Sequence, residues 1–196
     1  MRLGLLGGTF DPIHLGHLIL AEACREACQL DEIWFLPTGK PPHKVAAEIT
    51  PARQRIEMLE MALAGARQFK INDMEVKRGG TTYTVDTLAE LREQDPDREL
   101  YFLIGADSLH DFPMWREPER IAELATLLVV NRAGRAMPDL DSIPQKIRRS
   151  VEVVTIPDIG IASSDLRQRV SEGRSIRYQV PRAVEVYIDQ HGLYRA

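Results

Sequence analysis

Short apolar runs alternate along this chain with longer stretches of helical periodicity, and that alternation constrains the fold more than any other feature. The runs at Leu3–Leu6, Ile33–Leu36, Leu100–Ile104, Thr126–Val130 and Val151–Ile156 are brief and nearly continuous in apolar character. A further strand is expected over Lys70–Val76. Helical patterns fall between them: Leu15–Gln29, a helix opened by Thr50 as N-cap and Pro51 at its first position, Thr84–Glu93, Glu117–Leu124 and Ile143–Arg149. Two more, Ser164–Glu172 and Pro181–His191, follow the last strand. Strands apolar on both faces and separated by helices predict an α/β fold, a parallel sheet covered on both sides. With no repeat, low-complexity tract or linker, residues 1–196 are read as a single domain with a helical C-terminal end.

A chain of this length buries a substantial core, since ~150 residues already hide roughly 70% of their unfolded surface. The 44% hydrophobic and 28% charged content is that of an ordinary soluble globule. No apolar run approaches the ~20 residues of a membrane helix. The start, Met1–Leu6, carries one charge and no small-residue cleavage site, so it reads as a first strand rather than a secretory signal. A cytoplasmic protein without a membrane partner is expected. The net charge of −4 argues against nucleic acid held by bulk charge, so an anionic ligand must meet a local cluster of positive groups. Cys24 and Cys28, with no nearby His or Cys pair to complete a zinc set, are read as reduced, partly buried thiols.

One strand-to-helix turn stands out: "LGGTFDPIHLGHL", residues 6–18. It is long, bears glycines and contains two imidazoles. In open α/β sheets ligands lie beyond the carboxyl ends of the strands, and phosphates favour helix N-termini. Gly7 and Gly8 allow the backbone a close approach to a ligand. The pattern is neither G-x-G-x-x-G nor G-x-x-x-x-G-K-[ST], which sets aside the dinucleotide fingerprint and the P-loop. His14 and His17, with Gly16 between them, stand at the expected phosphate-binding terminus and can donate to phosphoryl oxygens.

These residues resemble the T/H-x-G-H loop of the nucleotidyltransferase α/β-phosphodiesterase superfamily. Four further blocks, "KPPHK" (40–44), "GGTTYTVDTL" (79–88), "IGADSLHDFPMW" (104–115) and "GIASSDLRQRVSEGRSIRYQVP" (160–181), stand in the order and spacing of the bacterial nicotinate-nucleotide adenylyltransferases. The resemblance covers nearly the whole chain and implies a Rossmann-like open sheet. It implies joining of nicotinate mononucleotide to ATP, with nicotinate adenine dinucleotide and pyrophosphate as products. A pantetheine-phosphate adenylyltransferase shares the fold and chemistry but lacks the "PPHK" and "TTYTVDTL" blocks.

The resemblance assigns His14, His17, Lys44 and Arg167 to catalysis at the ATP phosphates. It assigns Gly8, Thr9, Phe10, Gly16, Ser163 and Ser164 to ATP binding, with either serine as the phosphate contact or a helix cap. Thr82, Tyr83 and Thr84 would offer backbone N–H groups to the nicotinate carboxylate. Trp115 would stack on the pyridine ring, its alternative being a buried structural role. Asp107 would take ribose hydroxyls or cap a helix. Arg116 stands where many relatives carry an aromatic. Mg²⁺ is expected, carried mainly by ATP phosphates and waters with no protein ligand. The partners implied are ATP and nicotinate mononucleotide; a homo-oligomer is left open.

Overall fold

The computed structural model describes residues 1–39, 49–134, 136, 137 and 139–195. Among them the sheet has six strands, all parallel: β1 (Arg2–Gly8), β2 (Glu32–Pro37), β3 (Phe69–Ile71), β4 (Glu99–Gly105), β5 (Thr126–Arg132) and β6 (Val151–Ile156). Their order is β3-β2-β1-β4-β5-β6, so the chain winds outward from β1 in one direction and then from β4 in the other. This is the doubly wound order, and its switch point lies between β1 and β4. The register opens a crevice there. β1 pairs with β4 only as far as Leu5 opposite Phe102, whereas its pairing with β2 runs on to Gly8 opposite Pro37. On the other side, β4 stays paired with β5 up to Gly105 opposite Val130.

Alternation along the strands sorts their side chains into two cores. Leu6, Tyr101, Leu103, Leu128, Val130 and Val154 face one way. They pack with Ala21 and Cys24 of α1 (Leu15–Ala27), Met58 and Leu59 of α2 (Ala52–Leu63), Leu166 of α8 (Ser163–Ser171), and Val184 and Ile188 of α9 (Arg182–Gln190). Leu3, Leu5, Phe102, Ile104, Leu127 and Val129 face the other way. That layer is closed by Val85 and Leu88 of α4 (Thr84–Gln94), Ile121 of α6 (Pro118–Leu124) and Ile147 of α7 (Gln145–Arg148). Two short helices, α3 (Met74–Arg78) and α5 (Ala106–Asp111), complete the set. Cys24 and Cys28 are both free thiols, the first buried. No described helix is long and apolar enough to cross a membrane.

Three expectations from the sequence are corrected. The strand expected over Lys70–Val76 ends at Ile71, because the Asn72 side chain accepts the Met74 N–H at 3.0 Å and turns the chain into α3. The N-cap of α2 is Pro51 rather than Thr50. Thr50 is held outside the helix by both its backbone groups: its N–H donates to Asp11 Oδ2 (3.2 Å) and its carbonyl accepts from Arg55 (2.9 Å). Neither Ser163 nor Ser164 caps α8, whose N-cap is Ala162; the serines are its first two residues.

Candidate active site

The glycine turn leaves β1 at the crevice and enters α1 at His14, the N-cap residue. Gly8 is required by a close approach: a Cβ there would stand 3.0 Å from the Phe10 ring. Phe10 itself takes a left-handed φ of 50° and buries its ring against Phe35 and the edge of His17. The side chain of this expected ATP-binding residue therefore belongs to the core, leaving its backbone at the turn. Gly16 makes room for an imidazole, since a Cβ would meet His14 Nδ1 at 3.0 Å.

The two histidines form a stack, with ring centroids 3.7 Å apart and planes inclined by 22°. The His14 N–H donates to His17 Nδ1 at 3.3 Å. A neutral imidazole carries one proton, so accepting at Nδ1 leaves His17 with its donor at Nε2. Burial pushes His14 down to about 4. Burial, and then the neighbouring His14, push His17 down to about 3. Both rings are neutral at pH 7. His14 Nδ1 is buried, and the His17 backbone N–H faces the His14 ring in a capping-box arrangement at the start of α1.

α8 is stitched to this turn at two points. Ser163 Oγ donates to the Pro12 carbonyl (3.0 Å), and Arg167 Nη1 donates to the Asp11 carbonyl (2.8 Å). Ser164 is exposed, its hydroxyl 3.3 Å from Asp165 Oδ1. His14, His17, Ser163 and Arg167 are thus brought to one place from opposite ends of the chain. Lys44 lies outside the described residues.

Two residues at this place escape a reading of the sequence. Arg55, almost wholly buried, donates to the carbonyls of Thr50 (2.9 Å), Thr9 (2.7 Å) and Thr38 (2.9 Å). It thereby fastens together the glycine turn, the end of β2 and the approach to α2. Its signal was a charge on an apolar helix face, in line with Met58 and Leu59 at helical spacing. Asp11, also buried, binds Thr50 N–H and the Tyr194 hydroxyl through its two carboxylate oxygens.

Across the crevice, Trp115 follows a 3-10 turn, Phe112–Met114, and is half-buried, tilted on Phe112 (5.2 Å) and edge-on to Phe102 (6.2 Å). It is neither fully sequestered nor free. Tyr83 is the N-cap of α4 and Thr84 its first residue. The Arg116 guanidinium lies 4.6 Å over the Tyr83 ring, with Asp86 and Glu117 carboxylates at 3.8 and 3.7 Å, so the residue after Trp115 touches the block containing Tyr83. Thr82 is buried and gives its hydroxyl to Glu75, which also takes that of Thr87. Burial raises Glu75 above the usual carboxylate range. Asp107 is the second residue of α5, whose N-cap is Gly105, so the capping alternative for Asp107 falls away; its side chain lies outside what is described.

A doubly wound sheet with a glycine turn and paired imidazoles at its switch point defines a nucleotidyltransferase-type fold, and a cytidylyltransferase-like family model matches residues 5–169. The chain is 54% identical to a probable nicotinate-nucleotide adenylyltransferase of Thermomicrobium roseum, over 99% of this chain and 92% of that one. It is 46% identical to one of Thermus thermophilus over the full length of both. The chain belongs to the family of nicotinate-nucleotide adenylyltransferases. Its fold is also that of the Plasmodium falciparum nicotinic acid mononucleotide adenylyltransferase, solved in complex with NaAD, at a TM-score of 0.80 and 21% identity over 98% of this chain and 97% of that one.

Proposed function

We propose that this chain transfers the adenylyl group of MgATP to nicotinate mononucleotide, giving nicotinate adenine dinucleotide and pyrophosphate in cytoplasmic NAD biosynthesis. The observation that carries the site assignment is the stack of two neutral imidazoles at the N-terminus of α1. The nucleophile is a phosphate monoester, already anionic at neutral pH, so no general base is required. The barrier comes from bringing two anions together and from charge growing on the departing pyrophosphate. Positioned donors and positive charge lower such a barrier.

His17, with its proton on Nε2, supplies a donor to the α-phosphoryl oxygens that is neutral and pre-oriented. His14 supports it by the stack and by its backbone N–H. Charge comes from Arg167, docked on the turn, and from Lys44. Gly8, Thr9, Phe10 and Gly16 contribute backbone and room, while Ser163 and Ser164 contribute the N–H groups of the first turn of α8. No group of three or more His, Cys, Asp or Glu gathers as a metal set among the described residues, and imidazole N–H and guanidinium donors suit phosphate rather than Mg²⁺. The metal is accordingly assigned to the substrate, as MgATP.

On the acceptor side, Trp115 stacks on the pyridine ring with Phe102 and Phe112 behind it. Thr82 acts through its main chain, because its hydroxyl is engaged by Glu75. Tyr83 and Thr84 give the carboxylate the start of α4, and Asp107 takes ribose hydroxyls. The test is pyrophosphate release with ATP and three acceptors: nicotinate mononucleotide, nicotinamide mononucleotide and phosphopantetheine. They are expected in that order, the last without turnover; robust turnover of phosphopantetheine overturns the proposal.

A further inference from the structure

Tyr194 follows α9 in a turn made by the Gly192 and Leu193 N–H groups donating to Asp189 and Ile188. Its backbone takes a left-handed φ of 63°, a conformation that costs a non-glycine residue energy and persists where neighbours enforce it. The phenol that follows from this turn is held partly buried. The hydroxyl donates to Asp11 Oδ1 at 2.6 Å, in surroundings where Asp11 is 3% exposed. Asp11 is the hinge of three contacts. One carboxylate oxygen takes Tyr194, the other takes the Thr50 N–H, and its main-chain carbonyl takes Arg167. The side-chain grip on Asp11 therefore sets where its carbonyl points, and with it where the guanidinium of Arg167 rests.

We infer that Tyr194 is a positioning residue for adenylyl transfer, acting through Asp11 to hold Arg167 and the glycine turn in register. The inference rests on the reading of this site as the ATP phosphate site. Removing the hydroxyl leaves a buried carboxylate oxygen unpaired, which frees Asp11 to rotate toward other donors and releases the carbonyl under Arg167.

Tyr194→Phe keeps the ring and its packing and removes only the hydroxyl. In steady-state assays with both substrates varied, kcat is expected to fall about tenfold, the size of one lost hydrogen bond to a charged group. KM for nicotinate mononucleotide should stay unchanged. Asp11→Asn, which keeps shape but not charge, should reproduce the loss from the other side of the contact. In an Arg167→Ala background, Tyr194→Phe should cost less than about twofold, because a residue acting through Arg167 has nothing left to position. A purely structural role gives the opposite pattern: Tm lowered by the same amount in both backgrounds, with full kcat per folded molecule. That pattern overturns the inference. Calorimetric titration with ATP supplies a readout independent of turnover, with weaker binding expected in Tyr194→Phe. If the unmodified chain turns over no acceptor, the adenylyl-transfer reading fails, and an unchanged ATP affinity in Tyr194→Phe sinks the inference separately.

Discussion

His17→Ala is expected to be the most damaging single change at the phosphates. A donor that meets charge only as it develops lowers the barrier without tightening the ground state. Its removal should cost on the order of 10²–10³ in kcat, with ATP affinity largely kept. Steady-state kinetics beside calorimetry separates the two quantities, and a variant whose whole defect lies in ATP affinity excludes the transition-state role. Trp115→Ala should instead raise KM for nicotinate mononucleotide and spare KM for ATP, by about 1–3 kcal/mol if the stack resembles base–aromatic stacking. Because Trp115 is only half-buried, its Tm should move little; a collapse in Tm would return it to a structural role. The paired histidines were legible in the sequence because their spacing is local. Asp11 was not, since its partner Tyr194 lies 183 positions away and no local pattern announces it.

At the scale of elements, Arg55 is the residue whose loss should do most harm to stability. Arg55→Met keeps much of the buried bulk but orphans the carbonyls of Thr9, Thr38 and Thr50. A loss of about 3 kcal/mol or more is expected in chemical denaturation, from charge-assisted bonds broken in a dry setting. A loss under about 1 kcal/mol would mean that water replaces the guanidinium freely. Every strand but β3, and the long helices, were legible because their patterns are strong over enough residues. The stretch after Ile71 was not: "KINDMEV" alternates well enough for a strand, and only the Asn72 side chain, taking the Met74 N–H, diverts it. Helix α5 was anticipated only as the alternative use of Asp107, because six residues are too few for periodicity to show. The opening of α8 shifted by one residue because Ser163 spends its hydroxyl on Pro12 instead of on its own helix.

Over the whole molecule, the buried histidines should make the fold sensitive to acid. Both are held below the ordinary 6.5, His14 to about 4 and His17 to about 3. Between those values and 6.5 the unfolded chain binds more protons than the folded one, so their contribution to stability is full above 6.5 and lost as the pH falls through that window. Denaturation at about pH 7 and about pH 5 should show the drop, and His17→Gln should shrink it. An unchanged difference would place the acid sensitivity elsewhere. Glu75, raised by burial, acts with the opposite sign: its neutral form is favoured by folding, and that contribution fades as the pH rises.

The stitching of α8 and Tyr194 onto the turn between β1 and α1 also bears on when the protein becomes competent during its synthesis. The first strand and its turn emerge before the other strands, yet β1 lies in the middle of the sheet, and Asp11 must wait for Arg167, 156 residues later, and then for Tyr194. Contacts of such separation close late, since the chain between them must be ordered before they form. A nascent chain can thus bury much of its sheet while the proposed nucleotide site stays unassembled. Stalled translation products ending just after β6 are expected to hold no ATP, even where their strands already resist exchange.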